Sequence, residues 1–91
     1  MKKIDSIRAL TLGTSAETVR VSGLACMVQN NSESASVYLK ERRADGTDAS
    51  EGNGWRLAPG ERTAVPFTAL DLSLVASAAG TDVRVLLLDE L

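Results

Sequence analysis

Short runs of alternating apolar and polar residues recur along the chain, separated by glycine, proline and asparagine turns. Alternation with a period of two places every second side chain on one face of a strand, and no stretch shows the period of a long amphipathic helix. The pattern predicts an all-β fold, a small antiparallel β-sandwich or jelly-roll-like barrel of about seven to eight short strands. The 91 residues suffice for one domain. We expect a polar N-terminal arm at residues 1–6 and a single sandwich domain at 7–91.

The inward face of the second apolar run changes parity in its middle. Val19 and Val21 lie at odd positions, whereas Cys26 and Val28 lie at even positions. A strand of period two cannot keep both pairs on one face without an extra residue. Gly23 therefore predicts a β-bulge or a sharp bend where the chain changes sheets. A polar turn at residues 30–33 then predicts a hairpin with the next strand.

Residues 53–67 read as a strand, a Pro-Gly turn and a second strand, which predicts a hairpin-like corner. Proline fixes φ at the first central turn position and glycine accepts positive φ at the next, as a type II turn requires. The alternation predicts that the corner anchors the core through four inward side chains: Trp55, Leu57, Val65 and Phe67. The alternative for the tryptophan is stacking on a sugar ring, with Tyr38 as a helper. Three aromatic residues make a thin carbohydrate platform.

Residues 42–54 are rich in Asp, Gly, Ser, Thr and Glu, which predicts a long exposed loop. Asp45, Asp48 and Glu51 recur at every third position and are predicted to contact a partner. Their spacing does not reproduce the ligand pattern of a calcium loop, so we expect a solvated loop without a metal.

The last strand, Val83–Leu88, carries apolar residues on both faces. Antiparallel sheets with one solvated face normally alternate apolar and polar residues, so the surplus leucines predict a subunit contact. We expect an oligomer interface at Leu86, Leu88 and Leu91. The alternative is a central strand that the N-terminal arm of the same chain covers.

The residue inventory argues against catalysis. The chain has no histidine, so a Ser-His-Asp or Cys-His arrangement is impossible, and the usual general base at neutral pH is missing. The glycines lie singly in turns, without a phosphate-binding or dinucleotide fingerprint. One cysteine, Cys26, and no histidine exclude structural zinc and an intramolecular disulfide. We expect neither an enzyme nor a cofactor.

The net charge and the hydropathy of the chain limit the classes of partner that we expect. The net charge is −2 and the ten basic residues are scattered, which argues against nucleic acid. The longest apolar run, Val85–Leu88, is far shorter than the roughly 20 residues that span a bilayer, which argues against membrane insertion. The Met1-Lys2-Lys3 start lacks a following apolar segment, so we expect synthesis and folding in the cytoplasm.

Several short motifs follow one another in a distinctive order. They are Asn30-Asn31-Ser32, Ser36-Val37-Tyr38-Leu39, Gly54-Trp55-Arg56-Leu57-Ala58-Pro59-Gly60-Glu61, Leu70-Asp71-Leu72 and Ala79-Gly80-Thr81-Asp82-Val83-Arg84-Val85. This order, across most of residues 17–88, resembles the small β-domains of tailed-bacteriophage virion proteins. That group includes capsid decoration proteins, head fibres and tail-tip modules, which are commonly trimeric and non-enzymatic.

The resemblance implies a virion structural protein, made in the host cytoplasm, that decorates or stabilises the capsid surface. It implies a symmetric homo-oligomer, with a trimer favoured, and the major capsid protein as partner. We expect Lys2, Lys3 and Ile4 of the arm to contact the capsid by strand addition. The alternatives are a receptor- or carbohydrate-binding module of a tail or fibre, and a small cytoplasmic regulator or inhibitor.

Overall fold

The computed structural model describes residues 2–21, 25–42, 46–65 and 71–90, with side chains at all of these except 2–6 and 88–90. Its regular elements are strands, as the alternation predicted. They are β1 (Lys2–Leu12), β2 (Glu17–Arg20), β3 (Ala25–Asn30), β4 (Val37–Glu41), β5 (Trp55–Leu57), β6 (Arg62–Ala64), β7 (Asp71–Ala76) and β8 (Thr81–Glu90). No helix in the described ranges is long and apolar enough to cross a membrane.

The strands form two antiparallel sheets of four. Sheet A has the order β1-β8-β3-β6, and sheet B has the order β2-β7-β4-β5. The inward side chains of both sheets form one apolar core, so the predicted all-β sandwich is confirmed. The fully buried apolar side chains are Leu12, Val28, Val37, Leu72, Leu74, Val83 and Val85.

The parity change in the second apolar run marks a change of sheet, as predicted. β2 lies in sheet B and β3 lies in sheet A. Val19 and Val21 are buried on one side of the change, and Cys26 and Val28 are buried on the other. Gly23, the predicted bulge or bend, lies outside the described residues.

Two predicted hairpins are instead crossings between the sheets. β3 and β4 belong to different sheets, and so do β5 and β6. The Pro-Gly turn itself has the expected geometry, because Gly60 has φ of +79° and the Glu61 N–H donates to the carbonyl oxygen of Ala58 at 3.0 Å. Local turn chemistry was therefore predicted correctly, but it does not specify which strands pair.

Asn30 forms hydrogen bonds with both segments that cross between the sheets, the β3–β4 and the β5–β6 connections. Its side chain is fully buried, and Nδ2 donates to the carbonyl oxygens of Ala35 at 2.8 Å and Leu57 at 3.1 Å. Its Oδ1 accepts the N–H of Ser32 at 3.0 Å. Its backbone carbonyl also accepts the N–H of Gly60 at 3.1 Å. One side chain thus links the end of β3 with the segments that lead into β4 and out of β5.

The N-terminal segment differs from the prediction of an arm at residues 1–6. β1 begins at Lys2, and the backbone of Lys2–Ile4 is in register with residues 88–90 of β8. An irregularity between Ile4 and Ser6 shifts the register by one residue. The edge of the ten-residue β8 offers backbone partners along this segment, and backbone pairing does not require apolar side chains.

Candidate protein-binding face

The outer face of sheet A carries an apolar row that crosses all four strands. Register aligns Ile7 of β1 with Leu86 of β8, Leu86 with Met27 of β3, and Met27 with Ala64 of β6. Ile7 is 60% exposed, and the leucine and methionine are partly exposed. Neighbouring cross-strand side chains on one face contact one another, so the row forms a continuous apolar surface. We call these four residues the apolar row.

A polar row runs beside the apolar row. Arg84 of β8 is in register with Gln29 of β3, and Gln29 is in register with Arg62 of β6. The three polar residues and members of the apolar row line a shallow groove of about 460 Å³. The groove therefore combines an apolar floor with two guanidinium groups at one side.

Asp82 orients one of these guanidinium groups. Arg84 Nη2 donates to Asp82 Oδ2 at 3.2 Å, and Asn31 Nδ2 donates to the same oxygen at 2.8 Å. The hydrogen bond from Arg84, followed by that from Asn31, holds the pKa of Asp82 below its ordinary value. The carboxylate is therefore a fixed negative charge at neutral pH beside the groove.

The outer face of β7, one of the two central strands of sheet B, is covered by the chain itself. Ala49, in the loop that follows β4, is 5% exposed, and its N–H donates to Ser73 Oγ of β7 at 2.8 Å. Val75, two residues further along β7, is also buried although it points away from the core side that Leu72 and Leu74 share. Residues 46–54 thus lie over the outer face of β7.

Residues 46–53 of the loop are exposed, as the composition predicted, with the exception of the buried Ala49. Arg42 Nε and Asp48 Oδ1 form an ion pair at 2.9 Å, and the Tyr38 hydroxyl donates to Glu51 Oε1 at 3.2 Å. Two of the three acidic positions predicted as partner contacts, Asp48 and Glu51, therefore have partners within the chain, whereas Asp45 lies outside the described residues. The docking uses backbone and hydroxyl groups, which an apolar pattern does not reveal.

Gly54 ends the loop at a close approach to β4. A Cβ at this position would lie 2.8 Å from Tyr38 Cβ, 3.0 Å from the carbonyl oxygen of Ser50 and 3.2 Å from the N of Leu39. Only glycine fits this separation without a backbone shift. The glycine before Trp55 is thus a packing requirement, which its sequence context did not show.

Trp55 is not the core anchor that the alternation predicted. It pairs with the buried Leu39, yet its side chain is 70% exposed. It is the first residue of a three-residue edge strand, so a neighbouring strand, β4, covers it on one side only. Leu57 is buried and Val65 packs against the core, as predicted. Phe67 lies outside the described residues.

The structure locates only part of the predicted interface. Leu86 lies on the outer face of sheet A, as the two-sided pattern of β8 indicated. The side chain of Leu88 and all of Leu91 lie outside the described residues, as do the side chains of Lys2, Lys3 and Ile4. Those contacts stay predictions. Ile7 and Met27 were missed because the strand register, which places them beside Leu86, cannot be read from the sequence.

The described residues show little reactive chemistry. No group of three or more His, Cys, Asp or Glu residues among them is placed to hold a metal ion. Cys26 is buried, and burial raises the pKa of its thiol, which disfavours the reactive thiolate.

The fold and the face define the chain as a small antiparallel β-sandwich in which a loop covers the outer face of β7 in sheet B and an apolar row lies on the outer face of sheet A. No family model, curated protein or solved structure matches the chain.

Proposed function

We propose that the chain is a non-enzymatic structural protein that decorates or stabilises the capsid surface of a tailed phage as a symmetric oligomer. The observation that carries the binding role is the exposed apolar row on sheet A. The order of sequence motifs supports its placement on a phage particle. In this proposal the apolar row packs against the major capsid protein.

The contrast between the two outer faces supports a binding role. The chain covers Val75 and Ser73 of sheet B with its own loop but leaves Ile7 of sheet A 60% exposed. Exposed large apolar side chains that lie together on a surface typically mark an interaction site. Arg62 beside the row favours an acidic group on the partner surface, whereas the guanidinium group of Arg84 is already paired with Asp82.

The size of the face explains why the proposal includes an oligomer. The row spans four strands about 4.8 Å apart, or roughly 15–20 Å with side chains. Covering what is still exposed of its three large side chains would contribute at most about 2–4 kcal/mol before association costs, which themselves amount to roughly 4–15 kcal/mol. A single copy would therefore bind weakly, and linked copies on a repeating lattice would bind much more tightly.

Quantitative mass spectrometry of purified virions from the phage that encodes the chain tests the placement. We expect the chain in copy numbers comparable to those of the major capsid protein. A few copies per particle would favour the tail, and absence from particles would refute the proposal.

Substitution on the face tests its role. Met27→Glu places a carboxylate in the apolar row, and we expect it to abolish co-sedimentation with capsids that lack the native chain. Thr18→Glu adds the same charge at an exposed position of β2 in sheet B and serves as the matched control. Equal binding of both variants would show that the apolar row is not the contact.

A second candidate function is favoured by one observation, the 70% exposure of Trp55. An exposed indole can stack on a sugar ring, so the chain would act as a carbohydrate- or receptor-binding module of a tail or fibre. Tyr38 is not a second stacking wall, because its neighbour Leu39 is the residue that pairs with Trp55, and adjacent strand residues point to opposite faces.

Glycan-array binding by the wild type and Trp55→Ala separates the two functions. The second candidate predicts glycan binding that the variant loses while its thermal midpoint stays unchanged. Arg56→Ala, which alters the neighbouring exposed residue, is the control. Binding that survives Trp55→Ala, or no binding at all, would eliminate this candidate.

A further inference from the structure

β1 is unusual among the edge strands of this sandwich. The other three edges are β6, β2 and β5, with three, four and three residues, whereas β1 has 11 residues. Within the described ranges β1 pairs only with β8, so every second N–H and C=O of β1 points to an open edge. A long open edge is a template for adding another strand.

The central part of β1 also lacks the features that usually protect an edge. From Ser6 to Leu12 seven consecutive residues are in regular register with β8, and the irregularity lies before Ser6. This stretch contains no proline and one charged residue, Arg8. Ile7 is 60% exposed on its outer side, and Leu10 is only partly buried on its inner side. An added strand would cover apolar surface on both faces.

We propose that β1 pairs antiparallel with β1 of a second copy of this chain, about a twofold axis that passes beside Ile7. This inference rests on the proposed function for its oligomer and specifies how that oligomer forms. It replaces the trimer that the sequence resemblance implies with a twofold pair.

The register follows from symmetry and side-chain chemistry. Residues directly opposite in an antiparallel pair share a face, so a twofold axis normal to the sheet makes one residue face its own copy. Arg8 at that position would bring two guanidinium groups together, which is unfavourable. Ala9 would place Ile7 opposite the polar Thr11. Ile7 opposite its own copy joins two exposed apolar side chains.

This register joins the two copies of sheet A edge to edge through Ser6–Arg8, which lie in the regular stretch of both copies, whereas residues 9–12 of each copy lie opposite residues 2–5 of the other. The apolar row of one copy then ends at Ile7 where the apolar row of the second copy begins. The combined row doubles the length of the face proposed to pack against the capsid. Bivalent attachment follows from the same contact that closes the dimer.

Disulfide cross-linking tests the register. In Ile7→Cys the two introduced Cβ atoms would lie about 4.5–5.5 Å apart, close enough for a disulfide after a small adjustment. We expect rapid covalent dimers under mild oxidation. Ala9→Cys is the control, exposed on the same face and about 14 Å from its copy in this register. Cross-linking of Ala9→Cys without cross-linking of Ile7→Cys would refute the register.

Sedimentation equilibrium tests the dimer itself on the purified chain. We expect a dimer at about 100 μM. For Ile7→Lys we expect a dissociation constant at least about tenfold higher, because two lysines would face each other. Thr18→Lys adds the same charge on β2 and should leave the dimer intact. A monomeric or trimeric wild type would overturn the inference. This result does not depend on virion copy number, so the two proposals fail separately.

Discussion

Asn30→Asp is the sharpest test of how the two sheets are joined. The substitution keeps the shape of the side chain and the oxygen that accepts the Ser32 N–H, but it removes the amide donor. The carbonyl oxygens of Ala35 and Leu57 would then face an oxygen in place of Nδ2, which donates to them at 2.8 and 3.1 Å. Both hydrogen bonds are buried, so the substitution leaves two buried carbonyl oxygens without a hydrogen-bond donor.

The expected loss is large for a domain of this size. Two unsatisfied buried acceptors cost about 1–3 kcal/mol each, so we expect the free energy of unfolding to fall by roughly 3 kcal/mol. A 91-residue domain has a total of about 5–14 kcal/mol. At about 4–8 °C per kcal/mol, the thermal midpoint should fall by roughly 12–24 °C. Urea unfolding followed by circular dichroism measures the loss directly.

Asn31→Asp supplies the control for this prediction, since it makes the same chemical change at the adjacent exposed residue. It replaces one exposed hydrogen bond to Asp82 with repulsion between two solvated carboxylates, so we expect a loss of about 1 kcal/mol. The difference in free energy of unfolding between wild type and Asn30→Asp should also increase as pH rises through about 4, where the carboxyl group ionises in the unfolded chain. Equal losses in the two variants would refute the assigned role of Asn30.

Three further predictions follow from particular contacts. Gly54→Ala should lower the free energy of unfolding by about 1–3 kcal/mol because its Cβ would collide with β4, whereas Gly13→Ala, with no atom within 4 Å, should be close to neutral in the same urea titration. Cys26 should not react with a thiol reagent at pH 8 until the chain unfolds, and rapid reaction of the folded chain would contradict its burial. Arg84→Gln should raise the pKa of Asp82 in an NMR titration. Because the folded-state pKa of this carboxyl is lowered, its stabilising contribution is present at neutral pH and is lost as pH falls through that pKa.

The sequence predicted features that depend on side-chain alternation within one strand. The buried Val83 and Val85 and the outward Leu86 of β8 were all assigned to the correct faces. The parity difference between Val21 and Cys26 located a change of sheet, because period two is a strict property of strands.

The sequence did not predict features that depend on contacts between distant segments. Asn30 was predicted to be part of a polar turn, and the sequence did not indicate that it is fully buried, because the partners of its amide come from residues 35 and 57. Trp55 has the inward phase of Leu57, but an edge strand end lacks the neighbours that would bury it. Ala49 is buried by a hydroxyl contact from β7. Composition and period carry no information about such contacts.

The candidate face depends on the same distinction. Leu86 was predicted to lie in a subunit contact because β8 has too many apolar residues for one core. Ile7 and Met27 became part of the face only through the register that places β8 between β1 and β3. The row reaches the edge of sheet A at Ile7, in an 11-residue edge strand whose register is regular from Ser6 to Leu12. A surface that stopped short of that edge would serve a single partner, whereas a row that runs to an open edge can be extended by a second copy. The apolar row and the β1 edge therefore belong to one proposed interface, in which pairing of two copies through β1 enlarges the surface that packs against the capsid.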